Sequence, residues 1–146
     1  MTDNSINRAV MGDLDLLEHQ LNLPVCLHDR TGLLQIDPSY RLHTHPGCLK
    51  YKVRHENRCV SFDMIELHEK YAVRGHVFEI ECPAGYREWI RPLKVNLISG
   101  GILFVGPLDY RMLPPEKERF MGLTDWCASR LESRLEEALR EIDLFH

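Results

Sequence analysis

The end of the chain constrains the fold most. From Pro114-Pro115 onward, Phe120, Leu123, Cys127, Leu131, Leu135, Ala138 and Ile142 recur every three or four residues, the spacing that puts apolar side chains on one face of an α-helix. The proline pair opens the helix, and Glu116 and Glu118 sit near its positive end. About 28 residues rising roughly 1.5 Å each reach about 42 Å, longer than a small domain is wide. Such a helix either lies across the domain or protrudes to meet another copy or a further module. The other end of the chain carries a second stripe: Ile6, Val10, Leu14, Leu17 and Leu21 share a face, and Pro24 ends the run. Two apolar stripes at the two ends favour a dimer seam or a signalling connector.

Between these helices, "PVCLHDRTGLLQID" reads as a strand, a turn and a second strand, a hairpin signature. Residues 37–54 are polar and histidine-rich, a loop with a short helix. Val60, Met64, Leu67 and Tyr71 share a helical face that Gly75 is placed to close. "HVFEIE" alternates, "YREWIRPLKV" is a strand after a tight turn, and "ILFVGP" is a continuous apolar run suited to a central strand. The order helix, two strands, two helices, three strands, long helix predicts an α+β domain: a PAS/GAF-like, five-stranded antiparallel sheet flanked by helices, with long terminal helices. Residues 1–22 form the first helix, 23–112 the sensing core and 113–146 the last helix.

At 146 residues the chain matches one ordinary domain with a proper core. A net charge of −4 supplies no global attraction to nucleic acid. The longest apolar runs, such as "GGILFVGPL", are too short for a bilayer, so no membrane partner is expected. The first ten residues lack the basic and apolar regions of a signal peptide. Five cysteines, an odd number, point to reduced thiols and a cytoplasmic location.

No phosphate loop, nucleophile elbow or dinucleotide fingerprint is present. "HEKYA" has Ala72 where a zinc-protease helix needs its second histidine. No enzyme activity, catalytic residue or cofactor is expected. "HTHPGC" offers His43, His45 and Cys48 at short spacing. An alternative reading is therefore a zinc or iron sensor whose ligands are His45, Cys48, Cys59 and Cys82. Lys50, Lys52, Arg54 and Arg58 form a local basic run that reads as a solvated helix face.

The densest chemistry lies in "ECPAGYREWIRP", residues 81–92. Cys82, a small hydrophobe when free, points inward or to a pocket. Pro83-Ala84-Gly85 reverses the chain. On the following strand, period-2 alternation sets Tyr86, Glu88 and Ile90 on one face and Arg87, Trp89 and Arg91 on the other. A carboxylate among apolar walls needs partners: the hydroxyls of a small ligand, or Arg54 or Arg91 in a structural ion pair. The ligand reading makes Glu88 the hydroxyl acceptor and Tyr86 and Phe78 apolar walls, with Cys59 and Cys82 lining the pocket. Trp89 joins the site if the strand is bulged.

Three patterns carry a resemblance. Cys48 and Cys59 precede Asp63; Gly75 precedes the Cys82-Pro83-Ala84-Gly85 turn, Glu88 and Pro92; and Gly101 precedes Gly106-Pro107. Over roughly residues 20–108 the chain resembles the PocR-type sensory domain. The resemblance implies a PAS- or GAF-like sensor of small hydrocarbon derivatives such as diols, attached to a DNA-binding module of the AraC type in a bacterial transcription regulator. That module has no counterpart in these 146 residues, so DNA is expected only through a part outside this chain. The family's last strand typically closes with Gly-Gln, whereas this chain has Gly106-Pro107, so the ligand is not carried over. Sugars and other polyols fit as well as diols. The expected partners are a small-molecule ligand and a second copy, in a homodimer through the terminal helices.

Overall fold

The computed structural model describes residues 4–144 except 42, 44, 72, 73, 97, 109 and 110. Its elements in chain order are α1 (Asn4–Leu21), β1 (Val25–Asp29), a short 3-10 turn (Pro38–Tyr40), α2 (Pro46–Ser61), a π-helical turn (Phe62–Glu66), α3 (Leu67–Tyr71), β2 (Phe78–Glu81), β3 (Arg87–Val95), β4 (Ile98–Val105) and α4 (Pro114–Leu144). The sheet is antiparallel with strand order β1-β4-β3-β2. The α+β class stands. The five-stranded PAS/GAF-like sheet does not, because the sheet has four strands among the described residues.

The strand that fails to form is "GLLQID". The Asp29 carboxylate accepts the amides of Thr31 and Leu34, at 2.8 and 3.0 Å. Asn7 Oδ1 of α1 accepts the Gln35 amide at 2.9 Å. Local side-chain acceptors compete with a ladder for backbone donors, and here they tie residues 31–35 to the turn and to α1. Ile36 and Tyr40 are then buried with α1, where the Tyr40 hydroxyl donates to Asp15.

Two layers cover the sheet. On one face, Val25, Leu27, Trp89, Leu93, Leu103 and Val105 pack against the stripes of α1 and α4. Ile6, Val10, Leu14, Leu17 and Leu21 of α1, and Phe120, Cys127, Leu131, Leu135 and Ala138 of α4, are all buried there. The long helix lies across its own sheet, so both stripes are occupied within the chain. Arg91, on this same face, donates to Asp125 at 2.8 Å and to Glu132 at 3.2 and 3.3 Å. Glu132 also accepts the Lys94 amide, which clamps α4 to β3 beside the bulge at Leu93/Lys94.

The opposite face carries Cys26, Ile80, Ile90, Ile102 and Phe104 with Leu67 of α3. α2 contributes no buried residue and forms a rim. Val60 and Met64 are exposed while Leu67 is buried, so the expected four-residue face breaks. The cause is the π turn: Leu67 N–H bonds back to the Phe62 carbonyl, five residues away, and the extra residue rotates the helix register. Asp63 is turned into the interior as a result.

Candidate functional site

The second face of the sheet does not close over apolar residues alone. At the β1–β4 end, Cys26 and His28 alternate inward from β1, and Glu88 does so from β3. Glu88 is accommodated because Gly106 comes so close: a Cβ there would lie 2.6 Å from the Glu88 Cβ. From above, the loop before α2 lowers His43 and the π turn lowers Asp63. His43 Nε2 lies 3.2 Å from Asp63 Oδ2, without the alignment of a hydrogen bond, and its Nδ1 lies 3.8 Å from Glu88 Oε2. The Phe104 ring packs beside both imidazoles, 4.7 Å from His28 and 4.8 Å from His43, and the two imidazoles meet edge to face at 5.8 Å.

These groups are almost dry. The His43 side chain is 9% exposed, that of Asp63 11% and that of Glu88 6%. Among the described residues, His28 Nδ1, His43 Nε2 and Glu88 Oε1 have no hydrogen-bond partner. A buried unpaired polar atom costs on the order of 1–3 kcal/mol, so three together are not explained by stability.

Burial also sets their ionisation. It pushes the Glu88 carboxyl up to about 7, helped by Asp63 and opposed by His43. Burial lowers the His28 imidazole to about 4. For His43, burial pulls downward, but Asp63 and Glu88 outweigh it and the imidazole rises above its ordinary value. Burial raises the thiols of Cys48 (to about 11), Cys59 and Cys82. They are therefore protonated at neutral pH, which is poor preparation for a nucleophile.

Two cavities meet at this cluster. A groove of about 620 Å³ runs between β1 with its following loop and α2 with the π turn. Leu34, Ile36, Val60 and Met64 form its apolar walls, Arg41 and Lys52 its basic edge, and His28, His43 and Asp63 its polar floor. Behind it lies a space of about 20 Å³, bordered by His43, Asp63, Glu88, Cys48, Cys59 and Cys82. The first is the size of a small organic ligand; the second holds one water or one ion.

The residues expected from the sequence separate into two groups. Cys59, Cys82 and Glu88 come together at the small cavity, with Cys59 also facing the groove. Trp89 does not join them: it is fully buried on the α1/α4 side, and the strand's bulge lies beyond it at Leu93/Lys94. Phe78 pairs across from Ile90 and packs on Tyr71 at 4.8 Å, away from both cavities. Tyr86 seats the start of α2, its ring 5.5 Å from His45 and its hydroxyl where a Gly47 side chain would stand. Neither arginine pairs with Glu88: Arg91 faces α4 and Arg54 is exposed.

The four-ligand set changes too. Cys48, Cys59 and Cys82 border the small cavity, but His45 caps α2, its Nδ1 accepting the Gly47 amide at 3.0 Å. Among the described residues, the groups of three ligand atoms within 4.8 Å of one another are His43–Asp63–Glu88 and Cys26–His28–His43. His28 and Cys26 had no sequence signal beyond their alternation in a strand. Asp63 had one, its spacing after Cys48 and Cys59.

The chain matches no protein-family model, no curated protein and no solved structure. Among the described residues, no helix is long and apolar enough to cross a membrane.

One pH effect follows from the cluster's edge. His68 is 2% exposed, and neither of its ring nitrogens has a partner among the described residues. Burial lowers it to about 4, with Arg30 adding to the effect. The unfolded chain takes up this proton near 6.5, well before the folded one. The stability is therefore intact above about 6.5 and is lost as the pH falls towards 4, by up to about 3 kcal/mol. His28 acts in the same direction. His68→Leu is expected to retain more stability than the parent at pH 4.5, by an amount that shrinks above pH 7, in denaturant unfolding at each pH. A difference independent of pH would contradict this.

Proposed function

We propose that this chain is a sensing domain that binds a small diol, polyol or sugar-like molecule in the groove between β1 and α2. One observation carries the reading: a ligand-sized groove with apolar walls ends on a floor of buried imidazole and carboxylate groups, two of whose nitrogens are unpaired. Hydroxyl groups both donate and accept, so a polyhydroxylated molecule satisfies neutral His28, His43 and Asp63 together while its C–H faces rest on Val60 and Met64. Of the residues that carry the PocR-type resemblance, Cys59 and Asp63 line this groove, while Cys48, Cys82 and Glu88 border the small cavity behind it and Gly106 backs Glu88.

In this reading the chain is the cytoplasmic sensor of a bacterial transcription regulator and acts on a DNA-binding module outside it. β3 is the connection, with Glu88 on the site side and Arg91 clamped to Asp125 and Glu132 of α4 on the other. A homodimer belongs to this reading as well. With both apolar stripes occupied inside the chain, the second copy must meet another surface.

The test is thermal unfolding against a panel of diols, sugars and polyols, run on the parent and on His28→Gln. A ligand at about 100 times its dissociation constant adds roughly 2.7 kcal/mol, a clear rise in midpoint. The expected result is a shift with one chemical class in the parent, strongly reduced in the variant. No shift across the panel would contradict the proposal.

A further inference from the structure

We infer that His43, Asp63 and Glu88 form a binding site for one divalent first-row transition-metal ion, of the zinc(II) or iron(II) kind, at the small cavity behind the groove. Each residue offers one ligand atom, and the three atoms lie within 4.8 Å of one another. The 3.2 Å between His43 Nε2 and Asp63 Oδ2 suits two donors that share an ion at about 2.0–2.2 Å, while the other ring nitrogen, Nδ1, faces Glu88 Oε2 at 3.8 Å. The space they border, about 20 Å³, is the size of one ion or water.

Charge supplies an independent argument. Two carboxylates and one imidazole are buried together, with Glu88 Oε1 and His43 Nε2 unpaired among the described residues. A protonated imidazole offers its charge to only one of the two carboxyl groups at a time. A divalent cation with neutral imidazole balances both and occupies the unpaired atoms. The donor set also selects the metal. Calcium takes six to eight oxygens, and magnesium usually keeps several waters in an octahedral shell. Here a nitrogen and two carboxylate oxygens lie among thiols, which suits borderline cations. His28, grouped with His43 in the second set, stands ready as a further donor. The site differs from one built on Cys48, Cys59 and Cys82, whose sulfurs border the space but belong to neither group.

Cobalt(II) added to the chelator-treated full chain is the probe. The expected result is one equivalent bound per chain, with visible ligand-field bands and no strong thiolate-to-metal band in the near ultraviolet. Magnesium and calcium should leave the bands unchanged, whereas zinc should displace them. Asp63→Asn and Glu88→Gln, each confirmed folded by its circular dichroism, should weaken binding at least about tenfold. Cys48→Ser should bind as the parent does. No stoichiometric binding by the parent, a spectrum dominated by thiolate bands, or unchanged affinity in folded Asp63→Asn would each overturn the site. The parent spectrum decides alone if a variant fails to fold.

Discussion

Trp89→Ala is expected to destabilise the domain by about 3–5 kcal/mol and to leave ligand recognition intact in the molecules that fold. Trp89 is fully buried among the α1 and α4 side chains at the centre of the larger core. It is also the largest of the fully buried side chains. Its removal leaves a cavity beneath two helices whose own stripes are already seated, so little can collapse to fill it. A loss of this size is a large fraction of the 5–15 kcal/mol that holds a domain together. Urea unfolding followed by circular dichroism measures it. A loss below about 1 kcal/mol would show that Trp89 is not the core residue described. Glu88, its neighbour in sequence, behaves oppositely. Glu88→Gln removes an acid whose burial already disfavours its charge, so this variant keeps its stability at neutral pH while losing site chemistry.

The second large effect is at Gly101. Its φ is +135°, a backbone region that other residues rarely adopt, and a Cβ there would stand 1.9 Å from the His28 carbonyl oxygen. The contact is with backbone at the last pair of the β1–β4 register, where Gly101 opposes Asp29 and the Arg30 amide bonds to the Gly100 carbonyl. No side chain can swing aside to relieve it. Gly101→Ala must either part β1 from β4 or move His28, and a cost above about 3 kcal/mol is expected. Because His28 lies on the groove floor, the variant should lose ligand affinity as well as stability. Unfolding free energy and ligand-induced midpoint shift, measured on the same sample, test both parts. A variant with parental stability would refute the close approach.

Much of the fold was legible because it depends on period. The stripes of α1 and α4 are read at three- and four-residue spacing, and the continuous apolar run of β4 at the sheet centre. Alternation along β3 also sets Glu88 and Trp89 on opposite faces, as found. What was not legible depends on single side chains acting on the backbone. Asp29 and Asn7 take the amides that would have made a fifth strand. The π turn at Phe62–Glu66 shifts the helix by one residue, which exposes Val60 and Met64 and buries Asp63.

The same distinction holds at the site. Glu88 and the three cysteines stood out locally, as a carboxylate and soft donors in unusual company. His43 stood out beside His45 and Cys48, but only the fold brings it to Asp63 and Glu88, and His28 looked like any histidine in a strand. Tyr86 and Phe78 were expected as pocket walls because they are aromatic and near Glu88. Their actual neighbours, His45 with Gly47 and Tyr71 with Ile90, come from packing that spacing does not encode. The apolar walls come instead from Leu34 and Ile36, in the segment that forms no fifth strand, and from Val60 and Met64, which the π turn leaves exposed.

In the proposed reading an organic ligand sits on the floor formed by His28, His43 and Asp63. Amide and imidazole NMR spectra of the isotopically labelled domain, titrated with the panel member giving the largest thermal shift, test it most directly. Saturable changes are expected, concentrated at His28, Leu34, Ile36, His43, Val60 and Asp63, with smaller changes along β3 to Arg91. Changes confined to Tyr86 and Phe78, or spread without saturation over the exposed face of α2, would contradict it.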